Sequence, residues 1–175
     1  MPVNFFDAHH TQSSKETFGL YDKPYPEREP SYIIEEDKHD WIGIVNNPTK
    51  INADFYGLDH SLKIPVPPPN PDDKYIESLC DGMLKHGDNL AFVELKVWAS
   101  DGKWIGVSTK QILNSVKLFA ENHGFAGYTR VEGRICNKLK PALHKNCMHS
   151  QEKFHEAAVL HGFKGELIVK QEIDI

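Results

Sequence analysis

The sequence predicts an α/β (α+β) fold with a central mixed β-sheet flanked by helices, and three observations lead there. The first part of the chain is rich in short strand-like runs. A hairpin pattern occupies its middle. Two stretches with helical spacing then alternate with strands, an order that buries apolar faces by laying helices on a mixed sheet. The length of 175 residues suits one domain with one core.

Residues 1–30 have little apolar periodicity and carry Pro24, Pro26 and Pro30, so an extended or partly ordered arm is expected there and a single domain over 31–175. Residues 41–45 (WIGIV) read as a strand, and a weaker β pattern covers 55–58. The segment from Pro65 to Asp73 (PVPPPNPDD) is the best internal linker. Residues 75–85 and 90–98 form two apolar-rich runs around His86-Gly87-Asp88-Asn89, the composition of a tight hairpin. Ser108 or Thr109 can cap a helix running to Asn122, with Ile112, Val116, Phe119 and Ala120 on one face and His123-Gly124 as its stop. Residues 128–136 then read as a strand, 150–161 as a helix ending at Gly162, and 166–173 as a final strand. There is no internal repeat.

Apolar residues make up 39% of the chain, and no run approaches the roughly 18 that a membrane span needs. The polar N-terminus lacks a secretory pattern, so the expected location is cytoplasmic and no membrane partner is expected. Cys80, Cys136 and Cys147 form an odd set without a CxxC, which suits a reducing compartment. The net charge of −5 opposes indiscriminate polyanion binding, yet it is unevenly spread. Residues 1–102 hold 9 Lys and Arg against 18 Asp and Glu, whereas 103–175 hold 11 against 7. Within the positive half, Arg130, Arg134, Lys138, Lys140 and Lys145 form a candidate phosphate-binding stripe, with a solvated face as the competing reading.

Alternation along 90–98 puts Ala91, Val93, Leu95 and Val97 on one face and Phe92, Glu94, Lys96 and Trp98 on the other. A type II′ turn led by Gly87 would set Asp81 opposite Glu94, while a type I′ turn at Asp88-Asn89 would set Asp81 opposite Lys96 as an ordinary ion pair. Turn chemistry leaves both registers open. In the first, two carboxylates with Cβ atoms about 4.5–5.5 Å apart would repel unless a cation or a bound proton relieved them. Mg²⁺, which takes one or two carboxylates plus phosphate oxygens and water, is such a cation.

Asp81, a gap of twelve residues, Glu94-Leu95-Lys96 on an apolar strand and a following helix bearing Gln111 together resemble the PD-(D/E)XK nuclease superfamily, which has the restriction-endonuclease-like fold. The resemblance covers about residues 75–137. It implies that Asp81 and Glu94 bind Mg²⁺ (or Mn²⁺), that Lys96 positions or activates the attacking water, and that Gln111 lines the site. Cys80 stands where the motif has proline, Ser115 where some branches have tyrosine, and an additional upstream acid has no assignable position, although Glu77, Glu35 and Glu36 are available. The implied function is a metal-dependent nuclease hydrolysing phosphodiester bonds, with DNA as partner and the Arg130 to Lys145 stripe on its phosphates. The alternative is a catalytically inactive member of the same fold that binds protein or nucleic acid, and a protein partner or homodimer fits either reading. A surface charge network is the plainer account of the three charged residues.

Cys136, His144, Cys147 and His149 lack the ligand spacing of a zinc finger, and the 144–149 segment reads as ordinary loop. Phe92, Trp98 and Trp104 could stack on bases, although packing under the hairpin is the commoner fate of such residues. His9-His10 makes no metal site by itself.

Overall fold

The computed structural model describes residues 2–66 and 75–175. Among these residues, twelve strands run β1 His9–Ser13, β2 Thr17–Tyr21, β3 Tyr32–Ile34, β4 Gly43–Asn46, β5 Ala53–Gly57, β6 Pro65–Val66, β7 Tyr75–Ile76, β8 Gly82–His86, β9 Asn89–Lys96, β10 Arg130–Asn137, β11 Leu167–Val169 and β12 Glu172–Asp174; helix α1 is Trp104–Asn122 and α2 Met148–His161. The main sheet has the order β1-β5-β8-β9-β10-β11, the second has β12-β4-β2-β3, and β6 pairs with β7. β5, β8 and β9 form an antiparallel meander, after which α1 crosses over to β10, parallel to β9. The fold is therefore mixed α/β, as the pattern of elements predicts. No helix among the described residues is long and apolar enough to cross a membrane.

The period of two along β9 sorts its residues between two cores. Leu90 and Phe92 pack with Val131 and Ile135 of β10 against Ile112, Val116 and Phe119 of α1 and Phe154 of α2. Ala91, Val93 and Leu95 pack instead against Phe18, Leu20 and Val45 of the second sheet. Helices thus cover one face of the main sheet and the second sheet covers the other, so β9 is buried on both sides. Gly82 makes one close approach possible, since a Cβ there would lie 2.0 Å from the Phe55 ring.

Several elements depart from expectation. In the first thirty residues, β1 pairs with β5 and β2 lies inside the second sheet, with Phe5, Phe18 and Leu20 fully buried. A few large apolar side chains anchor that segment without any long periodic run. α1 begins at Trp104, before the expected cap: Lys103 makes no side-chain capping bond, and Thr109 inside the helix donates from Oγ1 to the Ile105 carbonyl. The expected final strand is two, β11 in the main sheet and β12 in the second. Of the expected linker, residues 67–73 lie outside the described residues.

Candidate active site

The hairpin takes the register that opposes the two acids. His86 pairs with Asn89 and Gly82 with Val93, which places Asp81 across from Glu94, and Gly87 supplies the positive φ (+53°) of the turn. Both side chains point toward the helical layer and both are buried, Glu94 completely. The contacts are reciprocal. The Asp81 N–H donates to Glu94 Oε2 (3.2 Å), Asp81 Oδ2 accepts from the Leu95 N–H (2.6 Å), and Lys96 Nζ donates to Glu94 Oε1. The Asp81 carbonyl accepts from Ser31 Oγ (2.7 Å) and from the Leu58 N–H (2.9 Å). Asp81 Oδ1 has no protein partner among the described residues.

Helix α1 fixes the approach to Asp81. Ser115 Oγ accepts from the Cys80 N–H (2.9 Å), Gln111 Nε2 donates to the Leu79 carbonyl (3.2 Å), and Asn114 Nδ2 donates to the Ser78 carbonyl (2.9 Å). These side chains take backbone groups that a sheet ladder would otherwise use, so β8 starts only at Gly82. Gln111 therefore holds the chain leading into the site rather than either carboxylate. On the other side, Asn137 Oδ1 accepts from the Trp98 N–H (3.1 Å) and its Nδ2 donates to the Trp98 carbonyl (2.9 Å), pinning the exit from β9 just after Lys96.

Burial first, and then the charges of Glu94 and Asp22, push the Asp81 carboxyl well above the usual carboxylate range. Burial likewise raises Glu94 to about 7, against the pull of Lys96. Burial works against the Lys96 ammonium, but the charges of Glu94, Asp81 and Asp22 outweigh it and its pKa rises. The site also feels two acids that sequence reasoning did not single out. Asp22, raised to about 6 by burial and then by Asp59, acts on Asp81, and Asp59 acts on Glu94. Their signal in the sequence was only that they are isolated acids near strand ends, shared by many surface residues. Glu35 instead accepts from Ser13 Oγ (2.7 Å), Glu36 pairs with Lys15, and Glu77 accepts from Asn114.

A hard divalent cation fits this donor set. Burial and mutual repulsion work against ionising both carboxyls, a burden a cation would relieve, the donors are all oxygen, and among the described residues Asp81 Oδ1 is uncommitted. The protein supplies only part of a coordination shell: among the described residues, no group of three or more His, Cys, Asp or Glu side chains could hold a metal. Substrate oxygens and water would complete it.

Lys96 also lines an open cleft of about 400 Å³ with Tyr21, Asp22, Tyr25 and Lys138, so solvent reaches the lysine that is paired with Glu94. The expected basic stripe is dispersed. Arg130 lies at the opposite end of β10 and binds Glu132 and Glu166. Arg134 is buried and bound to Glu132 on the face toward the second sheet, away from Glu94. Lys138 reaches the cleft, its Nζ donating to the His39 carbonyl, while Lys140 pairs with Asp101 and Lys145 is exposed. Cys136 lies in the core between the sheets, and Cys147 donates to the His144 carbonyl (3.2 Å). Phe92 and Trp104 are core residues, and Trp98 is half-exposed.

No protein-family model, curated protein or solved structure matches the chain.

Proposed function

We propose that the protein is a Mg²⁺-dependent (or Mn²⁺-dependent) nuclease of PD-(D/E)XK type that hydrolyses phosphodiester bonds in DNA. The observation that carries this reading is the burial of Asp81 and Glu94 face to face with Lys96 beside them at an open cleft. Two buried like charges are costly, and a structural ion pair needs only one of them. A strand meander followed by a helical crossover to a parallel strand also accords with the restriction-endonuclease-like fold.

Asp81 and Glu94 would hold the ion. When bound, it supplies Lewis-acid stabilisation of charge developing on the phosphoryl oxygens. Lys96, kept protonated by its acidic neighbours, places a fixed positive charge beside those oxygens and holds Glu94 in its rotamer. Gln111, Asn114 and Ser115 position the backbone that delivers Asp81, and Asn137 fixes the end of the strand carrying Lys96.

The test combines calorimetry with cleavage. The parent is expected to bind Mn²⁺ and to nick DNA with Mg²⁺ or Mn²⁺. Lys96→Ala is expected to fold normally and to lose at least roughly 100-fold in cleavage rate. A parent that cleaves no DNA with either metal would overturn the proposal and leave a catalytically inactive binding module; full activity in Lys96→Ala would remove the role given to that lysine.

A further inference from the structure

The cleft is not alone beside the carboxylates. Asp22 lines it, whereas Asp59 lines a second hollow of about 320 Å³ with Arg28, His60 and Lys63. Lys96, paired with Glu94, lines the first, and Asp59 in the second follows Leu58, whose N–H donates to the Asp81 carbonyl (2.9 Å), so the hollows flank one centre. Arg28 and Lys63 are exposed and pair with no carboxylate among the described residues, unlike Arg130, Arg134 and Lys140. The free cations around the centre are therefore few and sit in small hollows rather than across a broad face.

The cleft also presents an aromatic platform. Tyr25 is 84% exposed although two prolines flank it. The turn that carries it is closed by the Glu27 N–H donating to the Pro24 carbonyl (3.2 Å), and Lys23 braces its base through Glu27 (3.5 Å) and Glu29 (2.6 Å). A tyrosine held at a cleft rim, its apolar ring unburied and its backbone restrained by prolines, loses little freedom when a planar group lies on it. Aromatic rings interleaved with cations in a narrow groove are suited to single strands, whose unstacked bases offer a π-face, whereas a duplex keeps its bases stacked and presents mainly phosphates to a broad positive surface.

We infer that the substrate is single-stranded DNA, with a base stacked on Tyr25 in the cleft, the scissile phosphate beside Lys96, and the continuing backbone held by Arg28 and Lys63 in the second hollow. The inference rests on the nuclease reading for its scissile phosphate, while the strand path itself can be tested by binding alone.

Fluorescence anisotropy with a labelled short oligothymidylate and a duplex of equal length, in Ca²⁺ and in EDTA, provides that test. The single strand is expected to bind at least roughly tenfold tighter than the duplex, and Tyr25→Ala to weaken it by roughly tenfold while Tyr25→Phe retains it. Arg28→Ala and Lys63→Ala are each expected to lower the slope of log affinity against log salt by about 0.7. Equal or tighter duplex binding, or unchanged affinity in Tyr25→Ala with unchanged salt slopes, would overturn the inference. Single-strand binding of this pattern without cleavage in Mg²⁺ or Mn²⁺ would instead overturn the nuclease reading and leave the strand path standing. Equal cleavage of both DNA forms, with Tyr25→Ala unaffected, would do the reverse.

Discussion

Among the described residues, every polar atom of Asp81 but one is engaged: its N–H by Glu94, its carbonyl by Ser31 and Leu58, its Oδ2 by Leu95. Oδ1 is the exception, and it belongs to a carboxyl that burial and Glu94 hold well above its ordinary pKa. Asp81→Asn can keep its amide oxygen on the Leu95 N–H and turn its NH₂ to the place of Oδ1, so the substitution removes a buried like charge without losing that hydrogen bond. In EDTA at neutral pH it is expected to raise the stability of the fold, because burial and Glu94 both work against the Asp81 carboxylate, and to abolish Mn²⁺ binding. Urea denaturation and calorimetry read the two effects. A variant less stable than the parent without metal would mean that the carboxylate pair is no electrostatic burden, and the argument for a cation would fall with it.

At the scale of elements, the site depends on α1 as much as on the hairpin. Ser115 Oγ accepts from the buried Cys80 N–H and donates its own O–H to the Gln111 carbonyl (3.0 Å). Ser115→Ala strands that N–H and is expected to cost roughly 1–3 kcal/mol. Because Cys80 precedes Asp81, the same change is expected to weaken Mn²⁺ binding several-fold in a protein that still melts cooperatively; unchanged metal affinity at reduced stability would confine Ser115 to a structural role. This clamp marks how far the sequence could be read. Strand alternation sufficed to put Glu94 and Lys96 on one face of β9 because both faces of that strand are buried, and a one-residue slip would have moved the whole apolar set. The choice between the two turn registers was not legible locally: Gly87 and Asp88-Asn89 each suit a tight turn, and the pairing of β8 with β5, where Gly82 admits the Phe55 ring, lies outside the hairpin. Asp59 follows β5, which pairs with β8 in the main sheet, and Asp22 follows β2 of the second sheet, so strand pairing and sheet layering across distant segments relate them to the site, which no local pattern encodes. Arg130 and Arg134 looked like a cationic stripe because the sequence does not show Glu132 and Glu166 beside them.

The molecule as a whole is closed by its N-terminal segment, which a Pro-bearing, weakly periodic sequence disguised as an arm. Phe5 is fully buried, 5.4 Å from the Phe119 ring in an edge-on contact, while β1 extends the main sheet and β2 builds the second. Two side chains at the end of α1 hold the start of this segment: Asn122 Oδ1 accepts from the Val3 N–H (2.7 Å) and His123 Nε2 from the Phe5 N–H (3.1 Å). Nε2 can accept only while the imidazole is neutral. Burial holds the His123 pKa below 6.5, against an opposing pull from the Val3 backbone. A histidine whose folded pKa is depressed binds fewer protons folded than unfolded at intermediate pH. Its contribution is therefore complete above the unfolded pKa near 6.5, declines as pH falls below that value, and is gone once pH has passed through the folded pKa. Burial also lowers the pKa of His86, so the parent curve mixes the two groups. The difference between the parent and His123→Ala separates them. Their gap in urea midpoint is expected to be widest at pH 7 and to narrow toward pH 5, with amide exchange at Phe5 speeding up in the parent over the same interval. A gap independent of pH would show that the ring holds the N-terminal segment by its aromatic contacts with Phe5 and Phe6 alone, and not through the Phe5 N–H.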